Sequence, residues 1–224
     1  LLLNPKQISL DLAGDRAFVI DEDLNALLEI DLSSGIRTII SGDARGEGNM
    51  FITPSGLALD LAANRVLIID SGALALIAVD LASGDRQLIS GSGIGGSPTF
   101  TFPVNVAIAS GRAIVVDAGQ KALISVDLSN GDRNFFSGGG QGLGTDFINP
   151  SGIAMQLDSN GDIDSVFVTD IGLKSLIKID EPSTGTRSIV SDVGDAGDPF
   201  IRPQGVALDL DNNRVLIIDD DDLT

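Results

Sequence analysis

Residues 53–90 read TPSGLALDLAANRVLIIDSGALALIAVDLASGDRQLIS and contain four short apolar runs. The runs are SGLALDL, RVLIID, LIAVDL and DRQLIS, and they are separated by AAN, SGALA and ASG. Short runs bounded by turn-forming residues are typical of β-strands, and no segment keeps the 3.6-residue apolar spacing of a helix. The segment therefore predicts four successive strands, which we call a, b, c and d.

This four-strand unit recurs along the whole chain. Each copy begins at a proline, and successive prolines are 49, 49, 47 and 53 residues apart. The prolines are Pro5, Pro54, Pro103, Pro150 and Pro203. A period near fifty with four short strands is typical of β-propeller blades. The chain is therefore predicted to be all-β, a single propeller domain or fragment with repeats near 4–52, 53–101, 102–148, 149–201 and 202–224.

The last repeat contains only strands a and b before the sequence reaches DDDDLT. About four and a half blades do not close a ring, and propellers commonly have about six to eight. We expect the missing blades to come from the rest of a longer chain or from another chain. Open strand edges would otherwise favour aggregation.

Packing positions repeat with the strands. Strand b is apolar on both faces, as expected of a strand buried between neighbouring blades. A large apolar residue also stands three positions before each proline, and we predict that it packs between blades as a knob. The knobs are Leu2, Phe51, Phe100, Phe147 and Phe200.

The pattern P-S-G-(L/I)-A, read at Pro54–Ala58 and Pro150–Ala154, precedes a turn and an apolar run that ends in Asp. Together with the loop SG…G…F..P, it resembles the NHL repeat and the related six-bladed propellers. Propellers of this kind include lactonases, amidating lyases, RNA-binding modules and interaction platforms, so the resemblance implies one of these functions. In the gluconolactonase type, Asn or Asp after the proline holds calcium. Here the corresponding positions contain no acid: they are Lys6, Ser55, Val104, Ser151 and Gln204.

The amino-acid composition of the chain argues against several of these functions. The chain has no histidine, which a zinc-dependent lyase needs, and no cysteine for thiolate chemistry. Its formal charge of −18 opposes binding to nucleic acid and to anionic membranes. No apolar run is long enough to predict membrane insertion. Two functions are left: a binding or interaction module, or an enzyme whose working residues lie elsewhere.

Repeated charges flank the predicted turns. Strand c ends in Asp and strand d begins with Arg, so we expect an ion pair across each c–d turn, for example Asp80 with Arg86. The a–b turns repeat the arrangement in three pairs: Asp11 with Arg16, Asp60 with Arg65, and Asp209 with Arg214. We interpret these pairs as ion pairs that close the hairpins, and we assign them no functional role.

The opposite end of the blades, with the b–c turns and d–a loops, is predicted to be an acidic face. Its acids are Asp21, Glu22, Asp23, Asp43, Glu47, Asp70, Asp117, Asp146, Asp170, Asp192, Asp195, Asp198 and Asp219 to Asp222. The aspartate that ends strand b recurs in every repeat and is the candidate ligand-binding set: Asp21, Asp70, Asp117, Asp170 and Asp219. Alternatively, each of these carboxylates accepts backbone N–H groups and stiffens its own turn.

One segment breaks the repeat and is a candidate calcium site. In QLDSNGDIDSVF, four oxygen-bearing side chains alternate: Asp158, Asn160, Asp162 and Asp164. Short loops that bind calcium alternate their ligands in this way. The alternative is an Asn-Gly hairpin with a longer tip.

The sequence therefore favours a non-catalytic binding module within a larger, bacterial, secreted or surface protein. Its partner would be a protein or basic peptide at the acidic face. The alternative is a hydrolase or lactonase of the gluconolactonase-like type that depends on a divalent metal, with calcium as the possible cofactor. The sequence does not identify a compartment, although an extracellular or periplasmic one is favoured.

Overall fold

The computed structural model describes residues 2–181, 184–192 and 199–220. It contains eighteen strands within these residues. They are β1 (Pro5–Asp11), β2 (Arg16–Asp21), β3 (Ala26–Asp31), β4 (Arg37–Ser41), β5 (Pro54–Asp60), β6 (Arg65–Asp70), β7 (Ala75–Asp80), β8 (Arg86–Ser90), β9 (Pro103–Ala109), β10 (Arg112–Asp117), β11 (Ala122–Asp127), β12 (Arg133–Gly138), β13 (Pro150–Leu157), β14 (Ile163–Asp170), β15 (Ser175–Glu181), β16 (Thr186–Ser191), β17 (Pro203–Asp209) and β18 (Arg214–Asp219).

The strands form blades in chain order. Blades 1 to 4 are the four-stranded antiparallel sheets β1–β4, β5–β8, β9–β12 and β13–β16, and β17 pairs with β18. The predicted β-propeller fold is confirmed, with a proline at the first residue of every strand a. Among the described residues, no helix has the length and apolar character needed to span a membrane.

The chain divides into two compact units, each with its own core. The first is Leu1–Gly96 with Leu128–Asp132, and it contains blades 1 and 2. The second is Ser97–Asp127 with Arg133–Thr224, and it contains blades 3 and 4 and the β17–β18 pair.

In the first unit, side chains of blades 1 and 2 pack against each other in one cluster. It includes Phe18, Ile20 and Leu27 of blade 1, and Val66, Ile68 and Ile77 of blade 2. Phe51 is buried among them, so the structure confirms its prediction as a knob. Strand β6 is buried on both faces, because its alternating side chains contact neighbours on each side.

The second unit repeats this packing between blades 3 and 4. Ile114 and Val116 of β10 cluster with Val166 and Val168 of β14, and Phe147 lies in the same cluster. Phe147 therefore also acts as a knob. Burial of these apolar side chains is the main source of stability that the structure shows.

The a–b turns contain the predicted ion pairs. The Arg Nε atom lies 2.9 Å from the Asp Oδ2 atom in Asp11–Arg16, 2.8 Å in Asp60–Arg65 and 2.6 Å in Asp209–Arg214. In β5–β6 the turn is a short 3-10 segment, Leu61–Ala63, closed by Asn64 with a positive φ of 50°. Asparagine tolerates this conformation better than most residues.

The predicted ion pair across the c–d turn is wrong for Arg86. Its side chain turns away from Asp80 and enters the d–a loop of blade 1, residues 42–53, where it is buried. The guanidinium donates to backbone oxygens at 2.8 to 3.3 Å, namely those of Gly42, Arg45, Gly46, Gly48 and Asn49. It also donates to the Ser41 hydroxyl at 2.7 Å and lies 5.6 Å from the centre of the Phe51 ring.

Arg187 in blade 4 makes the same arrangement with the preceding loop. It donates to the backbone oxygens of Thr145 and Gln141 at 2.7 and 3.0 Å, and it lies over the Phe147 ring. Arg133 donates to the oxygen of Pro98 at 2.6 Å and lies over Phe100. We call each of these arginines, with the loop and the phenylalanine it contacts, an arginine clamp.

Glycines in these loops let the chain pass close to the next c–d turn. A Cβ added at Gly46 would collide with the backbone oxygen of Gly84, and one added at Gly142 would collide with that of Gly185. These loops are built around a buried arginine and held against a neighbouring backbone.

The c–d aspartates bind their own turns. Asp31 accepts hydrogen bonds from the Ser34 N–H at 2.7 Å and from the Ser34 and Ser33 hydroxyls at 2.7 and 2.8 Å. The Ser34 hydroxyl is the largest cause that lowers the pKa of Asp31 from 3.8 to about 2. Asp80 accepts the N–H groups of Ala82 and Ser83, and these backbone donors lower its pKa.

Replacing Ser34 by alanine is expected to raise the pKa of Asp31 from about 2 towards 3.8. A lowered folded-state pKa favours the folded chain above the ordinary value, and this contribution disappears as the pH falls from 3.8 towards 2. An NMR titration of the Asp31 carboxyl carbon measures the change. Ser83→Ala is the control and should shift Asp80 less, because the Ser83 hydroxyl is its smallest cause. An unchanged Asp31 pKa in Ser34→Ala would contradict the assignment of the Ser34 hydroxyl as the main cause of the lowered pKa.

Candidate binding surface

One end of each blade brings together the start of strand a, the end of strand b and the b–c turn. In blade 2, Pro54 of β5 lies opposite Asp70 of β6, and the N–H of Ser71 donates to the oxygen of Thr53 at 2.9 Å. We call this the proline end of a blade. All five candidate ligand-binding aspartates lie at proline ends.

Asp70 is fully buried and binds backbone donors from two segments. Its Oδ2 atom accepts the N–H of Ile52 at 2.7 Å, and its Oδ1 atom accepts those of Thr53 and Ala73 at 3.0 and 2.9 Å. One carboxylate therefore ties the loop before strand a to the b–c turn. Buried charged groups are stable when hydrogen-bonded in this way.

The other four aspartates accept the same loop donors. The N–H groups two residues and one residue before the proline bind Asp21 in blade 1, Asp117 in blade 3, Asp170 in blade 4 and Asp219 in β18. Asp21, Asp117 and Asp170 are fully buried, whereas Asp219 is exposed. This geometry agrees with the alternative interpretation of these aspartates, in which each carboxylate accepts backbone N–H groups and stiffens its own turn. A ligand at the surface would have to displace backbone donors to reach a buried one.

The residue that each carboxylate holds through Oδ2 is exposed and, in four of five repeats, apolar. These residues are Leu3, Ile52, Ile148 and Ile201, and Ile52 is 62% exposed. Blade 3 has Thr101 at this position, and the apolar residue Phe102, 54% exposed, follows it. We call Leu3, Ile52, Phe102, Ile148 and Ile201 the rim residues.

The b–c turns make room for rim residues with glycine. A Cβ added at Gly72 would lie 2.7 Å from a methyl carbon of Ile52, and one at Gly172 would collide with Ile148. In blade 3, a Cβ added at Gly119 would collide with the hydroxyl oxygen of Thr101 and would lie 3.1 Å from the Cβ of Phe102. Ile52 and Ile148 are therefore each placed by two contacts, a buried carboxylate on the N–H and a glycine against the side chain.

The first unit contains the rim residues Leu3 and Ile52. The second unit contains Phe102, Ile148 and Ile201, which precede β9, β13 and β17. These three strands are successive neighbours in that unit. The Ser151 hydroxyl of β13 donates to the oxygen of Pro203 in β17 at 2.9 Å. Ile148 and Ile201, each two residues before a proline, therefore lie at the same end of adjacent strands.

The sequence did not identify the rim residues. An apolar residue one or two positions before a proline is equally consistent with a core position. The signal that could have found Ile52 and Ile148 is the b–c turn glycine, Gly72 in blade 2 and Gly172 in blade 4, which lies against the side chain of the rim residue.

Four of the five positions after the prolines, which the resemblance assigns to a metal, contact residues at or just beyond the end of their own strand b. Lys6 pairs with Glu22 at 2.6 Å, Ser55 bonds Ser71 at 2.8 Å, and Gln204 bonds Asp220 at 2.9 Å. Ser151 bonds Thr169 at 3.0 Å. None of these side chains is a carboxylate.

The candidate calcium segment forms a hairpin between β13 and β14. Asp158 Oδ1 accepts the N–H groups of Asn160 and Asp162 at 2.8 and 2.9 Å, and Gly161 has a positive φ of 84°. Asp162 accepts the Ser110 hydroxyl at 2.9 Å, and Asp164 lies on β14. Within the described ranges, no three acidic side chains are grouped so that they could hold a metal ion. Calcium binding stays a prediction.

The acids predicted to form one face occupy different environments. Asp21, Asp70, Asp117 and Asp170 are buried, and Asp146 pairs with the clamp residue Arg187 at 2.9 Å. Asp23, Asp43 and Glu47 are exposed. Asp195, Asp198, Asp221 and Asp222 lie outside the described residues. Binding of a basic partner to an acidic face stays a prediction.

Comparison with known proteins supports the fold of the chain but does not assign the chain to a family. No protein-family model and no curated protein sequence matches the chain. One similar structure is a crystal structure of a nidogen/laminin complex, with 14% identity and a TM-score of 0.71 over 96% of this chain and 72% of that one. Another is an auxiliary nutrient binding protein from Bacteroides ovatus, with 11% identity and a TM-score of 0.64 over 96% and 67%. At these identities the likeness shows the fold alone, and the NHL repeat stays a prediction.

Proposed function

We propose that the chain is a non-catalytic binding propeller within a larger protein, and that it binds a protein segment through its rim residues. The observation that supports this most directly is the exposure of a large apolar side chain in the loop before strand a of every repeat, where the aspartate that ends strand b accepts the backbone N–H of that residue. Exposed apolar groups that recur at equivalent positions are typical of interaction sites, whereas single scattered ones are common on any surface.

The rim residues of the second unit are the strongest part of this proposal. Phe102, Ile148 and Ile201 are placed before neighbouring strands, and aromatic and branched aliphatic side chains on a rigid support provide binding energy at a low entropic cost. The partner that fits is an extended segment with two or three apolar side chains.

The two similar structures support a binding role by analogy. One is a nidogen/laminin complex, and the other is a nutrient binding protein. A fold alone does not determine function, so the residues of this chain must provide the test.

The test is selection of a phage-displayed peptide library on the whole chain. We expect enriched peptides to bind a variant with Phe102→Ser, Ile148→Ser and Ile201→Ser about tenfold or more weakly, because truncation of central contacts commonly costs that much. The matched control replaces Leu143, Leu157 and Leu210 by serine, since these are exposed apolar residues of the same unit outside the rim. Equal binding by the rim variant, an equal loss in the control, or no enriched peptide would each overturn the proposal.

A further inference from the structure

Lysine occupies the same position in the b–c turns of blades 3 and 4. Lys121 and Lys174 each directly precede strand c, and each has a positive φ, 52° and 54° respectively. In blade 3, the N–H of Lys121 donates to the oxygen of Ala118 at 3.3 Å and closes the turn. Both lysines are exposed. Each of these two turns therefore presents an ammonium group at the proline end of its blade.

These two lysines make no ion pair within the part of the chain that the structure describes. The other two lysines of the chain each pair with an acid at 2.6 Å, Lys6 with Glu22 and Lys178 with Asp180. Acidic residues outnumber basic ones 32 to 14, so the missing pairs do not reflect a shortage of acids. The two turn lysines are therefore available to a charge on another molecule.

The acids of the same blade ends already have partners. Asp117 and Asp170 end the strands b of these blades, are fully buried, and each accept three backbone N–H groups. Asp146, in the loop before β13, pairs with a clamp arginine at 2.9 Å. The turns themselves, residues 118–121 and 171–174, contain no acid, whereas the corresponding turn of blade 1 contains two. A carboxylate on a partner would therefore meet an ammonium group that no acid of this chain contacts.

Each of these lysines lies on a turn that packs against the loop of a rim residue. In blade 3, a Cβ added at Gly119 would lie 3.1 Å from the Cβ of Phe102, and in blade 4 one added at Gly172 would collide with Ile148. In both turns the lysine follows that glycine by two residues. An exposed apolar side chain and an ammonium group without an ion pair therefore occur together in both complete blades of the second unit.

We propose that the segment bound by the rim of the second unit is acidic. Its apolar side chains contact Phe102 and Ile148, and its carboxylates pair with Lys121 and Lys174. Charge complementarity selects this partner, because a basic segment would bring like charges beside two ammonium groups. The inference rests on the proposed function and specifies the chemistry of its partner.

The formal charge of −18 opposes a short acidic segment less than it opposes a nucleic acid. At physiological ionic strength, exposed charges more than about 8 Å apart are largely screened, so the nearest groups dominate for a short segment. A nucleic acid carries a phosphate charge on every nucleotide, and two lysines offset few of these. Of the two anions, an acidic peptide is therefore the one that fits this surface.

The test is selection of two phage-displayed peptide libraries on the whole chain. The libraries have the same apolar residues, but the charged residues are only Asp and Glu in one and only Lys and Arg in the other. We expect the acidic library alone to yield peptides whose binding is lost in the serine variant of the rim. These peptides should bind a variant with Lys121→Asn and Lys174→Asn about five- to tenfold more weakly, because exposed ion pairs contribute modestly.

The asparagine variant retains the turn, since blade 1 has asparagine at this position, Asn25 with a φ of 46°. Its control is Arg112→Gln, which removes an exposed base at the opposite end of β10 and should leave binding unchanged. A charge reversal, Lys121→Glu with Lys174→Glu, should instead select peptides from the basic library whose binding depends on the rim. These variants therefore separate the two lysines from the net charge of the chain.

The outcomes distinguish this inference from the proposed function. Rim-dependent peptides that come equally from both libraries, or that bind the asparagine variant unchanged, would overturn the acidic partner and leave the proposed function standing. Competition of the selected peptides by single-stranded DNA would assign the lysines to a nucleic acid and overturn it as well. If neither library yields a rim-dependent peptide, both proposals are wrong.

Discussion

Replacing Arg86 by alanine is expected to lower the free energy of unfolding by about 3–5 kcal/mol. The guanidinium is buried and donates to five backbone oxygens and to the hydroxyl of Ser41, which is itself fully buried. Each buried polar group left without a donor costs roughly 1–3 kcal/mol, and the costs do not add fully because the loop can relax. Urea unfolding followed by circular dichroism measures the change.

Arg37 is the matched control for this experiment. It occupies the same position at the start of strand d in blade 1, but it is exposed. Arg37→Ala should therefore change stability by only about 0.5 kcal/mol or less. Arg86→Lys should lie between the two variants, because an ammonium group keeps the charge but cannot reach several carbonyl oxygens with a planar fork. Similar losses for Arg37→Ala and Arg86→Ala would contradict the arginine clamp.

Replacing Asp70 by asparagine is expected to cost about 2–4 kcal/mol. The carboxylate is buried and accepts three backbone N–H groups through both oxygens. An amide of the same shape turns an NH2 group towards one of these donors, which leaves two donors facing each other. Thermal unfolding gives the total effect, and hydrogen exchange of Ile52, Thr53 and Ala73 shows whether the loss is local.

Asp219→Asn provides the comparison, because the same bonds form there at an exposed site. Water can replace lost bonds at such a site, so we expect a change of about 1 kcal/mol or less. If Asp70→Asn were as mild as Asp219→Asn, the buried aspartates would not be the structural anchors of the proline ends.

The repeat and the strand boundaries could be predicted because they depend on local sequence. The prolines, the apolar runs and the turn residues recur with a period near fifty, and each strand pairs with its neighbour in sequence. The a–b ion pairs were predictable for the same reason, since Asp60 and Arg65 are five residues apart and flank one turn.

The arginine clamps could not be predicted from the same reasoning. Asp80 flanks the same c–d turn as Arg86, but the partners of Arg86 lie some forty residues earlier, on the preceding loop. The end of one outer strand approaches the next c–d turn in space, and no local pattern encodes that approach. The candidate site was also only partly predictable. The aspartates that end strand b were identified from the sequence. The rim residues were not, because their exposure depends on which side of the loop faces water.

The arginine clamp also changes what counts as one module of this chain. A loop that leaves blade 1 receives its central side chain from blade 2, so residues 41–86 contain both parts of one clamp and are offset from the blades. During synthesis, that loop must wait for some forty further residues before Arg86 can enter it. A gene duplication, or an engineered insertion, that copies a blade from its proline to its final serine would therefore separate Arg86 from the loop that it enters. Repeats of this chain should be exchanged with their borders just after this arginine, so that each copied segment contains both a loop and the arginine that enters it.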